Sequence, residues 1–75
     1  MNVREAATAA KQRVGELFAP GALRDVRMEN CVYDDHFLVW TLTIGYALAA
    51  EPDTRGYKIV RVSEADKSVL SVRDP

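Results

Sequence analysis

The segment Phe37-Leu38-Val39-Trp40-Thr41-Leu42-Thr43-Ile44-Gly45-Tyr46-Ala47-Leu48 alternates without interruption. Leu38, Trp40, Leu42, Ile44, Tyr46 and Leu48 share one side, and Phe37, Val39, Thr41, Thr43, Gly45 and Ala47 share the other. A period of two in β-branched and aromatic residues specifies a strand, because successive side chains of an extended chain point to opposite faces. The first side is bulky enough to floor a core. The second is smaller and half polar, and every other element must be arranged around that asymmetry.

The flanking chain supplies the partners. Asn2 followed by Glu5 has the spacing of a capping box, with a side-chain acceptor at the N-cap and a carboxylate three residues on. From Val3 to Phe18 the residues Val3, Ala7, Ala10, Val14, Leu17 and Phe18 recur at helical spacing, and Pro20-Gly21 ends the pattern. Arg24–Tyr33 reads as a first strand with Val26, Met28, Asn30 and Val32 on one face and Arg27, Glu29, Cys31 and Tyr33 on the other. Only an odd number of loop residues keeps the two apolar faces together. The expected turn around Asp34-Asp35-His36 therefore has three or five residues, accompanied by a bulge. In the three-residue case Val32 meets Leu38, Asn30 meets Trp40, Met28 meets Leu42 and Val26 meets Ile44. The Trp40 indole N–H would then donate to the Asn30 amide. Ala49–Gly56, with Glu51-Pro52-Asp53, reads as a polar loop. Tyr57–Ser63 and Val69–Arg73 read as two more strands, joined by Glu64–Ser68. One register groups Val60, Val62, Leu70 and Val72, the other Ile59, Arg61, Leu70 and Val72, and the first is preferred because it keeps Arg61 out of the core.

A helix followed by four strands with hairpin-type links predicts an α+β domain over residues 1–75, one N-terminal helix packed on a four-stranded antiparallel meander. The totals fit this: 75 residues, 48% hydrophobic and 28% charged, belong to a small folded domain and exclude a disordered chain. A formal net charge of -1 gives no overall pull toward nucleic acid or acidic membranes. Cys31 is the sole cysteine, so no disulfide within the chain is possible. No leader-like apolar run and no span of bilayer length is present, and the expected location is cytoplasmic.

The C-terminal segment, Tyr57-Lys58-Ile59-Val60-Arg61-Val62-Ser63-Glu64-Ala65-Asp66-Lys67-Ser68-Val69-Leu70-Ser71-Val72, resembles the closing hairpin of PepSY-like bacterial domains. In those, an aromatic-led strand runs into an acidic turn and a short apolar strand. The Trp40 to Tyr46 strand, ending in Gly-aromatic, is similar to strands of many small bacterial proteins. The chain departs from the pattern at Lys67, where those domains carry glycine. The resemblance implies a helix-plus-sheet domain that binds or inhibits other proteins without catalysis.

The residues with reactive side chains are few. Asp34, Asp35 and His36 carry ligand-type groups, but three consecutive turn residues do not close a metal shell, and aspartate is favoured in turns by its own backbone hydrogen bonding. Cys31 has only His36 as a base within the chain, and an inert strand cysteine is the expectation. Arg24, Arg27, Lys58, Arg61 and Arg73 with Tyr33 and Tyr57 would suit single-stranded nucleic acid, but the chain is acidic from Asp25 to Asp53 and carries no nucleic-acid signature. Solvated strand charges that discourage edge pairing account for them. No enzyme, no cofactor and no metal are expected, nor nucleic-acid or membrane binding.

One helix cannot cover both faces of four strands. The expected function is therefore a protein–protein interaction module that self-associates as a homodimer through the uncovered sheet face, with another protein as a further partner. Cys31, Tyr33, Phe37, Val39, Thr41 and Thr43 are the expected interface. The alternative is a small-ligand domain with a pocket between the helix and the sheet, where Ala6, Ala7 and Ala10 leave space opposite Trp40 and Tyr46.

Overall fold

Asn2 starts the helix in the manner its spacing predicts. In the computed structural model, which describes residues 1–75, the Asn2 carboxamide oxygen accepts from the Glu5 N–H at 2.9 Å, and the Glu5 carboxylate accepts from the Asn2 N–H at 3.0 Å. Helix α1 runs Val3–Glu16 and buries Ala6, Ala7, Ala10 and Val14. It ends two residues earlier than the apolar stripe suggests. Leu17 caps it and is 44% exposed, while Phe18 tilts against the Tyr46 ring with centroids 5.2 Å apart. The chain then reverses in a turn closed by Ala22 N–H to Ala19 C=O at 3.0 Å. Pro20 supplies its fixed φ there and Gly21 takes φ +78°, a combination characteristic of a type II turn.

Four strands follow, β1 (Leu23–Asp34), β2 (Val39–Leu48), β3 (Glu51–Ser63) and β4 (Val69–Arg73), antiparallel and in spatial order β1-β2-β3-β4. The expected α+β meander under one helix is the observed architecture. The core also has the expected side: Leu42, Ile44 and Tyr46 of β2 and Val60 and Val62 of β3 pack with the helix residues Ala6, Ala7, Ala10 and Val14 in one buried cluster.

The β1–β2 register differs from expectation. The turn has four residues, Asp35–Leu38, with Asp34 opposite Val39. The Asp34 carboxylate accepts from the backbone N–H of His36 at 2.9 Å and of Phe37 at 3.1 Å, which fixes the turn, and Leu38 closes it in the left-handed region at φ +57°. An even turn places Tyr33 opposite Trp40, Cys31 opposite Leu42 and Val32 opposite Thr41. Cross-strand partners share a face. Cys31 and Tyr33 therefore lie on the helix side and Val32 on the other, the reverse of the sequence reading. Charges do not enter the core because one extra residue, Glu29, interrupts the ladder between Met28 and Asn30 and restores Met28 to the side of Ile44. A second irregularity, between Arg24 and Arg27, leaves Asp25 at φ +53°.

The remaining links show smaller departures. Ala49–Ala50 alone joins β2 to β3, and the expected loop up to Gly56 is extended chain within β3. Leu48 pairs with Glu51 and Ala47 with Arg55, so Pro52, Asp53 and Thr54 have no partners on β2. Proline, which lacks an N–H to give to a ladder, is tolerated at such a position. Between β3 and β4, Val60 faces Val72 as expected, but Val62 faces Val69 and Leu70 is the extra residue of a bulge, 52% exposed. Lys67 takes φ +62° in that turn and donates its N–H to Ser63 C=O at 3.0 Å.

Lengths explain what stays uncovered. A 14-residue helix spans about 21 Å at its usual rise, whereas the 13 residues of β3 span about 43 Å. The helix roofs part of one face, and nothing lies over the other.

Candidate interaction surface

The open face is read from the ladder. From the β1–β2 turn inward its rows are Asp34, Val39 and Ser63; then Val32, Thr41 and Arg61; then Asn30, Thr43 and Ile59; then Arg27, Gly45 and Tyr57; then Arg24, Ala47 and Arg55. The inner rows are closed by charge. Arg55 spans the Asp25 carboxylate at 3.2 Å and the Glu29 carboxylate at 3.4 Å, and Arg27 donates its Nε to Asp25 at 2.8 Å. These side chains lie over Gly45, where a Cβ would come within 2.8 Å of the Glu29 carboxylate and 3.0 Å of the Arg55 guanidinium. The Arg27 hydrogen bond holds the Asp25 carboxyl below its ordinary range, with Arg55 assisting.

The rows nearest the turn carry no such lid. Val32 is 55% exposed, Thr41, Thr43 and Ile59 are half-buried, and at the end of the hairpin Phe37 is 68% and Leu38 48% exposed. Asn30, Asp34 and Arg61 border this apolar and hydroxyl-bearing patch. An apolar centre with a polar rim is the layout of a protein interface.

Of the six expected interface residues, Val39, Thr41 and Thr43 lie on this face and Phe37 stands at its end. Val39 is already 7% exposed, shielded within its own chain. Cys31 and Tyr33 are corrections. The Cys31 side chain packs against the helix-side core, and burial pushes its thiol pKa up, away from nucleophilic reactivity. The Tyr33 ring lies 4.6 Å from that of Trp40. Val32, Ile59 and Arg61 take their places. The sequence offers little warning of this exchange, because the bulge residue Glu29 is simply one more polar residue in a strand that alternates on either side of it.

On the helix side, Trp40 does not meet Asn30. Its indole N–H donates to the Glu64 carboxylate, whose other oxygen accepts from the Met1 amino group at 3.0 Å. Both bonds favour the ionised acid, Trp40 more strongly, and the Glu64 pKa lies below its ordinary 4.5. Glu5, Asp25 and Asp66 are lowered likewise, chiefly by Lys67, Arg27 and Ser68 respectively. A carboxyl whose folded pKa is depressed contributes stability that is complete above its unfolded pKa and is lost as pH falls through the folded value. The melting temperature should therefore decline below the ordinary values of 4.5 for Glu and 3.8 for Asp. Glu64→Gln should remove part of that decline. A melting temperature that stays flat from about pH 7 to about pH 3 would contradict these pairings.

The space expected between the alanines and Trp40 and Tyr46 is closed, with Ala6 and Ala10 at 0% and Ala7 at 9% exposure within the core cluster. A groove of about 310 Å³ opens instead between the C-terminal half of α1 and β4. No helix is long and apolar enough to cross a membrane. Comparison of the chain with protein-family models, with curated proteins and with solved structures gave no match.

Proposed function

We propose that this chain is a non-enzymatic protein–protein interaction module that forms a homodimer through the turn-proximal half of its open sheet face. The observation that carries the reading is the patch of Val32, Thr41, Thr43 and Ile59, ending in Phe37. It is left without cover while the other half of the same face is closed by the Asp25, Arg27, Glu29 and Arg55 ion pairs. Apolar surface rimmed by polar groups gains free energy by leaving water, and two copies offer one another the same surface about a two-fold axis. The resemblance of the C-terminal hairpin to PepSY-like domains belongs to the same proposal. Lys67 adopts the left-handed backbone that glycine, the residue those domains carry there, takes most readily. The non-catalytic part of the reading rests on Cys31, a thiol raised in pKa on the helix side, with no base paired to it among the hydrogen bonds.

The test is light scattering from micromolar to millimolar protein. The wild type should approach twice its 8.4 kDa chain mass. Val32→Asp should remain at the single-chain mass while melting at an unchanged temperature, since Val32 is 55% exposed and contributes little to the fold. Val32→Asp is a cleaner probe than Val39→Asp, which would place a charge at a site only 7% exposed and unsettle the fold itself. A wild type that is monomeric at millimolar concentration, or a Val32→Asp variant that still dimerises, would contradict the proposal. A dimer broken only by adding a second protein would favour the heteromeric form of the same module.

A further inference from the structure

The groove between α1 and β4 lies at the outer edge of the sheet and has a chemistry of its own. Its lining includes all five residues of β4, Val69–Arg73. Successive strand residues point to opposite faces, so a space touched by all five runs along the edge of the strand. That edge is free: β4 is the last strand of the sheet, and none of the backbone hydrogen bonds outside the helix and ladders involves Val69–Arg73. Its outward N–H and C=O groups are thus available to a further extended chain.

The side chains around this edge select among such chains. Leu17, 44% exposed, and the bulged Leu70, 52% exposed, give the groove apolar contact surface. Arg13, Lys58 and Arg73 place three cations on its lining against one anion, Asp74. Lys58 is paired with Asp74, and Arg13 reaches Glu16 only at 3.6 Å. Arg73 takes part in no ion pair.

We propose that this groove binds an extended acidic peptide, one alternating carboxylate and aliphatic side chains, by strand addition to the free edge of β4. Backbone hydrogen bonds to β4 supply affinity that is indifferent to sequence. Arg73 and Arg13 select carboxylates, and Leu17 and Leu70 receive the aliphatic side chains. The site adjoins the homodimer face, since Arg73 pairs with Ile59 across the β3–β4 ladder, but its peptide contacts run along the free edge of β4 and do not require the dimer.

The experiment uses the full chain and fluorescein-labelled acetyl-Glu-Val-Asp-Val-Glu-Val-amide, followed by fluorescence anisotropy. Saturable binding that weakens with added salt is expected, and the corresponding Lys-Val-Lys-Val-Lys-Val peptide should not bind. Arg73→Glu should weaken binding at least about tenfold. Arg73→Gln should have an intermediate effect, with circular dichroism confirming that both variants fold. N-methylation of alternate residues of the acidic peptide should abolish binding, because it removes the donors a strand needs. Absence of saturation at millimolar protein, equal binding of the basic peptide, insensitivity to Arg73→Glu, or full binding of the N-methylated peptide would each overturn the proposal. The monomeric Val32→Asp variant should bind the acidic peptide as the wild type does, so failure of the dimer reading and failure of this site give different results.

Discussion

Gly56→Ala is expected to lower the stability of the domain by about 2–3 kcal/mol, the upper range for forcing a methyl group into a packed site. On the helix side of the sheet, Tyr46 pairs with Gly56 across the β2–β3 ladder and its ring lies on the glycine. A Cβ built there would sit 2.5 Å from Tyr46 Cε2, 2.6 Å from Cζ and 2.7 Å from the hydroxyl oxygen. The ring cannot simply swing out. Tyr46 is 6% exposed and held by Phe18, so displacing it opens the end of the core beyond α1. Urea unfolding measures the loss. Gly15→Ala is the control: nothing lies within 4 Å of its added methyl, and in a helix the change should stabilise by about 0.5–1 kcal/mol. In a Tyr46→Leu background the Gly56→Ala penalty should shrink, because the clash is with the ring. Gly56→Ala as stable as the wild type would mean that the ring does not lie there.

The second large effect separates the two faces of one strand. Leu42 is fully buried among Ala6, Ala10, Val14, Ile44, Val60 and Val62, and Leu42→Ala should cost about 3 kcal/mol from lost burial and the cavity left behind. Its neighbour Thr41 points to the open face, and Thr41→Ala should cost less than about 1 kcal/mol, a matter of strand preference alone. With only 12 of 75 residues buried, the domain stands near the low end of the usual 5–15 kcal/mol, so Leu42→Ala removes a large part of its stability. Equal costs at the two positions would contradict the assignment of faces.

How far these features could be read before the fold was known depends on how local they are. The capping box at Asn2 and Glu5 joins residues three apart, and its spacing announces it. The strand Val39–Leu48 announces itself by period, and with it the side of the core, because Leu42, Ile44 and Tyr46 outweigh Thr41, Thr43 and Gly45. The meander follows from order alone. The β1–β2 register does not, since parity arguments hold only for an unbroken ladder. Glu29 and Asp25 each break it, and polar residues in a half-exposed strand leave no mark that a bulge is present. The even turn, compatible with the core only because Glu29 is inserted, moved Cys31 and Tyr33 off the expected interface and brought Val32 onto it. The Trp40 to Glu64 hydrogen bond joins residues 24 apart through the β2–β3 pairing and the turn after β3, so nothing near Trp40 foretells it. Pro52 misled in the other direction. It marks a stretch that leaves the ladder, as its missing N–H requires, yet the backbone stays extended and β3 begins at Glu51.

The face assignment and the proposed dimer meet in one observable. In proton–nitrogen correlation spectra recorded as the protein is diluted from millimolar to micromolar, the account predicts shifts confined to Val32, Thr41, Thr43, Ile59 and the Asp35–Leu38 turn, with Lys11, Gln12 and the other exposed helix residues unmoved. Spectra that do not change with concentration, or changes centred on the helix, would contradict it.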